Sequence, residues 1–268
     1  MGEMTMLQPA DREVLRQAVM ALENPGFAAR LSHWVGTPLE KALVLLPEPV
    51  AASVHEASQQ ALTKALDWAI VSLGNPQLNN ALSARRHRLL SCLSGAVGGF
   101  WGAPALAVEL PVTTLLMLRA IAAIAVEQGE DMDEIDARLA CLEVFALGGN
   151  SDRDDGAETG YFAVRAALAN AVSEAAQFLA QRNLADSSAP ALLRLLAQVS
   201  TRFGVSVSQK LAAQAVPLIG ALGGASVNWM FMDHFQSMAQ GHFNVRRLER
   251  EYGKAVIKAE YQRLCDEP

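Results

Sequence analysis

Two stretches of this chain carry no charged side chain: residues 89–108, 20 in number, and residues 211–232, 22 in number. About 20 apolar residues suffice to cross a bilayer, so both are long enough to span one. Otherwise the fold has to bury them. Their composition favours burial. The first holds Gly95, Gly98, Gly99, Gly102 and Pro104; the second holds Gln214, Pro217, Gly220, Gly223, Gly224 and Asn228. Ala and Gly add little insertion energy, and no aromatic belt or Lys/Arg asymmetry frames either stretch. Small residues let helices approach closely in water-surrounded cores as well as in lipid. The expectation is a pair of buried core helices. An internal echo joins them: Gly95-Ala96-Val97-Gly98-Gly99 matches Gly220-Ala221-Leu222-Gly223-Gly224 in four of five positions.

The rest of the chain reads as helix. Apolar residues recur at helical spacing, and no run alternates apolar and polar residues for long enough to make a sheet. Helices are expected over 11–23, 50–73, 111–127, 133–147, 161–182, 189–203, 206–219, 225–241 and 245–264, with a further start at Thr37-Pro38-Leu39-Glu40. Asn24-Pro25-Gly26, Gly74-Asn75-Pro76 and Gly129 supply stops. The polar stretch 150–160 reads as a connector, because it lacks the spaced acidic pattern of a calcium loop. The predicted fold is all-α, a single multi-helix domain of about ten helices around the two Gly-rich segments. Residues 1–84 are expected to pack on a core spanning 85–265.

With 51% hydrophobic residues and a net charge of −6, the chain is not disordered. Its 22 Lys+Arg against 28 Asp+Glu give no basic field for nucleic acid. Cys92, Cys141 and Cys265 form neither a CxxC pair nor a zinc spacing, so reduced thiols in a cytoplasmic protein are expected. The first eleven residues include Glu3 and no apolar core, so a secretory signal is not expected.

Charges on apolar helices mark the candidate site. Glu109 and Thr113 are four residues apart and share a face, while Arg119 lies about 80° away from that face. A buried charge needs a partner. The candidate partners are Asp233 and His234, which reach Glu109 if the two Gly patches pack together. Asn228, Gln236 and His242 complete the candidate set. One reading is a hydrogen-bonded network that sets the packing register. The other is a ligand or metal site made of Glu109, Asp233, His234 and His242, as the core of a helical bundle can provide. No metal motif supports the second: His-Glu-x-x-His and paired Glu-x-x-His are absent. Gly-x-Ser-x-Gly and P-loop patterns are missing too. No metal or cofactor is expected, and no catalytic residue stands out.

Two basic clusters flank the apolar stretches: Arg85, Arg86 and Arg88, and Arg246, Arg247 and Arg250 on a charged tail helix. Interleaved Glu249 and Glu251 suit a solvated face. The alternative is contact with an anionic membrane surface, screened by salt over ~8–10 Å.

Three stretches carry a resemblance. The first is Glu109-Leu110-Pro111-Val112-Thr113-Thr114-Leu115-Leu116-Met117-Leu118-Arg119, continuing to Glu127-Gln128-Gly129. The second is Cys141-Leu142-Glu143-Val144-Phe145-Ala146-Leu147-Gly148-Gly149. The third runs from Arg202-Phe203-Gly204 through the second Gly patch to Asp233-His234-Phe235-Gln236, Gly241-His242-Phe243 and Val245-Arg246-Arg247-Leu248-Glu249. Together they resemble the EcsC family over roughly residues 85–265. The family is named for a protein encoded beside an ABC transporter, and the resemblance implies a bacterial helical protein, cytoplasmic or peripheral to the inner face of the membrane. It carries over no catalytic residues. The expected function is non-enzymatic: association with an anionic membrane surface, an apolar ligand or a membrane-protein partner. The alternative is an enzyme or metal-binding protein using the Glu/Asp/His cluster.

Overall fold

The computed structural model describes residues 7–23, 27–36, 48–72, 103–147, 160–181, 189–214 and 220–267. Of these, 93% are helical and none is in a strand. Nine helices follow in order: α1 Pro9–Glu23, α2 Phe27–Val35, α3 Glu48–Ser72, α4 Ala103–Glu127, α5 Ile135–Leu147, α6 Gly160–Gln181, α7 Pro190–Gln214, α8 Gly220–Tyr252 and α9 Lys254–Asp266.

The 33-residue α8 is the spine, roughly 50 Å long at 1.5 Å per residue. α1 and α2 run antiparallel along it in succession. Asp11 at the start of α1 meets Arg247 and Tyr252, and Arg30 of α2 meets Asp233. On the other sides α8 packs against α4, α5 and α7, and α3 fills the space between α4 and α7. Five phenylalanines close the centre. Phe145, Phe203, Phe231, Phe235 and Phe27 form a chain of ring contacts with centroids 5.1–6.0 Å apart. Such pairs add about 0.5–1.5 kcal/mol each beyond the area they bury.

Gly129 ends α4 as the sequence suggests. It takes a φ of +78°, and the Glu130 amide reaches back to the Ala125 carbonyl while its own amide bonds Val126. These are the two bonds of a Schellman stop.

Four boundaries differ from expectation, three for a packing reason and one for a backbone one. Helix α4 does not start at Pro111 but runs through it from Ala103. An internal proline forfeits a bond and costs ~3 kcal/mol, which the burial of Leu110, Met117, Leu118 and Ile121 offsets. Helix α7 is continuous where two helices were expected, because Gly204 lies inside it and faces α3. A Cβ there would stand 3.8 Å from Ser58 Oγ. Gly241 likewise sits inside α8 rather than ending a helix, and a Cβ on it would come within 2.8 Å of Leu22 Cγ. The single tail helix over 245–264 is two helices, since Gly253 at φ +91° separates α8 from α9.

The second Gly patch opens α8. The first, Gly95–Gly99, lies outside the described residues, as do Arg85, Arg86, Arg88 and the helix start at Thr37.

Candidate functional site

Polar side chains meet α8 at three levels along its length. At the first, near its start, Glu109 Oε1 accepts hydrogen bonds from Lys210 Nζ at 2.6 Å and Asn228 Nδ2 at 3.2 Å. Lys210 is fully buried, and its ammonium also lies 5.2 Å from the centre of the Phe231 ring. Thr113, one turn on from Glu109, is buried with a hydroxyl that has no hydrogen-bond partner among the described residues. The sequence brings Glu109 and Asn228 forward as candidates, and the fold puts them in contact. Their shared cation, Lys210, was not among the candidates. Its signal was of the same kind as that of Glu109: a lone charge in a long stretch that holds no other, here from Phe203 to Met232.

Asp233 and His234 sit at the second level and hold other partners. Asp233 accepts a 2.7 Å bond from Arg30, and the His234 ring stacks on Phe27 at 5.3 Å. The expected partnership of Glu109 with Asp233 and His234 is thus replaced by one with Lys210 and Asn228. An α-helix rises about 7.5 Å between Asn228 and Asp233 and turns them to different faces. Gln236 is buried on the same helix. Arg119 is remote from Glu109 and places its guanidinium 5.4 Å from the centre of the Trp68 ring of α3. Among the described residues no three His, Cys, Asp or Glu side chains are grouped to hold a metal.

The third level joins α5, α6 and α8. Arg165 of α6 grips Glu249 of α8 with two bonds, 2.8 and 3.0 Å, and also donates to the Tyr161 hydroxyl at 3.2 Å. That hydroxyl stands 3.0 Å from His242 Nδ1. The Tyr161 oxygen thus joins Arg165 and His242, and the ring nitrogen that carries the imidazole proton sets the direction of the Tyr161–His242 bond. Burial, reinforced by Arg165 and Arg246, drives the His242 pKa well below its ordinary value, so the ring is neutral. Its Nε2 is buried without a hydrogen-bond partner. Glu23 of α1 closes the back of the cluster, accepting from the Tyr261 hydroxyl and the Tyr161 amide at 3.0 Å each. Glu143 of α5 faces this cluster, 8% exposed, and burial pushes its pKa up to about 7 against the pull of Arg165 and Arg246.

The tail bases are engaged inside the fold. Arg246 binds Glu130 at 2.8 and 3.0 Å and Asp136 at 3.1 Å. Arg250 binds Glu130 and the Gln128 carbonyl, and Arg247 binds Asp11 at 3.2 Å. Burial tends to raise the Glu130 pKa, but Arg246 and Arg250 outweigh it and hold the carboxyl below its ordinary value. These arginines tie the end of α8 to α1 and to the turn before α5.

The model of the EcsC protein family matches residues 12–248 of the chain. The chain belongs to the EcsC family. No curated protein and no solved structure matches it. The EcsC match takes in Glu109, Lys210 and Asn228, Glu143, Tyr161, Arg165 and His242, and the arginines 246 and 247.

One surface feature of this EcsC protein escaped the sequence reading. Trp34 at the end of α2 and Trp229 near the start of α8 are 43% and 42% exposed. With Ala225, Ser226 and Met230 they frame an open hollow. Among the described residues one stretch, Glu109–Glu127 of α4, is long and apolar enough to cross a membrane, and 61% of its apolar window is buried in the bundle. The aromatic hollow lies at the same end of α8 as the Glu109–Lys210 pair.

Proposed function

We propose that this EcsC protein is non-enzymatic and associates reversibly with a membrane surface through the end of the bundle where α8 begins. The pair Trp34 and Trp229 carries this reading. Tryptophan has a flat apolar body and one polar N–H, and it is enriched where a bilayer meets water. Two such rings on adjacent helices, exposed beside Met230 and Ala225, form a contact that can dip into the headgroup layer without a span.

Charge takes a different part from the one expected. Arg246, Arg247 and Arg250 are engaged with Glu130, Asp136 and Asp11, so they are poorly placed to hold acidic lipid. Arg85, Arg86 and Arg88 remain as the basic contribution. We accordingly propose partial salt sensitivity in place of a purely electrostatic attachment. We take residues 1–268 as one domain centred on the two Gly-rich segments. Its place is the inner face of a bacterial membrane, where a transporter-type partner is within reach.

Vesicle flotation tests this reading. The intact protein is mixed with neutral and with anionic vesicles at low and high ionic strength. Flotation with both lipids, reduced but not abolished by salt, is expected. Recovery of all protein at the bottom of the gradient under every condition would overturn it.

A further inference from the structure

Glu143 is an anomaly in this bundle. Every other described residue of α5 from Leu139 to Leu147 is apolar and buried, and Glu143 is buried with them. A buried carboxylate ordinarily has a cation or several hydrogen bonds. The neighbouring guanidiniums are already committed: Arg165 to Glu249 by two bonds, Arg246 to Glu130 by two bonds and to Asp136. Both cations sit on helices that pack against α5, one on α6 and one on α8, while both hold other acids.

The groups around it come from every neighbouring element. From α6 they are Tyr161 and Arg165, and from α8 His242, Arg246 and Glu249; Asp136, Arg138 and Cys141 lie on α5 itself, and Glu130 precedes it. Arg138 is occupied with the carbonyls of Met132, Asp133 and Ile70. Helix α3 meets α5 with Leu66, Ala69 and Ile70, its Lys64 and Asp67 being exposed. Helix α7 brings Phe203 onto Phe145, with Lys210 bound to Glu109 at the far end. On α4, Arg119 rests on Trp68 and Glu127 is exposed.

We propose that Glu143 is a proton-operated joint between α5 and the α6–α8 pair. Carrying its proton, it packs as a neutral side chain and leaves both arginine pairs intact. On losing the proton it competes with Glu249 for Arg165 and with Glu130 for Arg246, and the junction loosens. His242 stays neutral throughout, because burial already denies it a charge, so it leaves Glu143 as the group that switches.

The sign follows from linkage. A carboxyl whose folded pKa lies above its unfolded one contributes most below the unfolded value, and that contribution is lost as pH rises toward the folded value. The gap between 4.5 and about 7 limits the change in the opening equilibrium to roughly 300-fold. Two measurements on the full chain decide the matter. In the first, the glutamate side-chain carboxyl carbons are titrated by NMR from about pH 4 to pH 8.5. One resonance moving near pH 7 is expected, and it disappears in Glu143→Gln. Titration of every glutamate below about pH 5.5 overturns the proposal. The second compares amide hydrogen exchange of the wild type and Glu143→Gln at about pH 6 and pH 8.5, corrected for intrinsic rates. Protection of α5, α6 and the end of α8 is expected to fall with pH in the wild type and to hold in the variant. Equal pH responses in the two proteins overturn the proposal.

Discussion

Lys210 and Glu109 meet at 2.6 Å across 101 positions of sequence, the lysine fully buried and its ammonium close to the face of Phe231. Removing one member leaves the other as a buried, unpaired charge, so Lys210→Met should destabilise the protein by about 3–5 kcal/mol. Replacing both, as Lys210→Met with Glu109→Leu, should recover most of that loss, because two apolar side chains need no partner. Urea unfolding of the two singles and the double checks this. Losses from the single substitutions that simply add in the double would show that the pair is not coupled.

The two interior glycines should behave oppositely. A methyl at Gly241 would stand 2.8 Å from Leu22 Cγ, so Gly241→Ala should cost about 1–3 kcal/mol by forcing α1 from α8. At Gly204 the nearest atoms lie at 3.8 and 4.0 Å, an ordinary contact. Gly204→Ala should therefore be neutral, or stabilising by up to ~1 kcal/mol through helix propensity. Thermal melting of both variants separates the cases, and equal shifts would contradict the packing described.

These glycines also mark where the sequence stopped being informative. Periodicity recovered every described helix but α2, which was not expected, and placed the stop at Gly129, because local backbone chemistry decides a stop. Gly204 and Gly241 carry the same residue, but there a neighbouring helix decides, and nothing nearby in sequence announces Ser58 or Leu22. The site divides in the same way. That Glu109 needed a partner was legible from its apolar surroundings; that the partner is Lys210 was not, because helical spacing says nothing about register across 101 residues. Arg246 looked like a surface base for the same reason, its acids Glu130 and Asp136 being more than 100 positions away.

Arg246 and Arg247 should differ in weight. The Arg246 side chain is 17% exposed and holds Glu130, which is 5% exposed, whereas the Arg247 side chain is 31% exposed. Arg246→Ala should cost about 1–3 kcal/mol, as losing charged hydrogen bonds to a buried acid does. Arg247→Ala should cost less than ~1 kcal/mol. Chemical denaturation of the two variants provides the comparison; a larger loss for Arg247→Ala would reverse the assignment.

Acid should unfold the protein partly through Glu130. Its folded pKa lies below 4.5, so its contribution is present above that value and is lost as pH falls through the lower, folded one. Glu130→Gln should lower stability at neutral pH and flatten the acid limb of a stability–pH curve. An acid limb as steep as that of the wild type would mean that other carboxylates carry it.

The depth of Trp34 and Trp229 in a bilayer tests the membrane reading most directly. Brominated acyl chains quench tryptophan fluorescence only at close range, and the chain has four tryptophans, of which Trp34 and Trp229 are the two proposed to enter the headgroup layer. Vesicles of brominated lipid should quench the wild type, each single Trp→Phe variant less, and the Trp34→Phe/Trp229→Phe double variant little if at all. Quenching that persists undiminished in the double variant, or none in the wild type at any lipid concentration, would contradict the account.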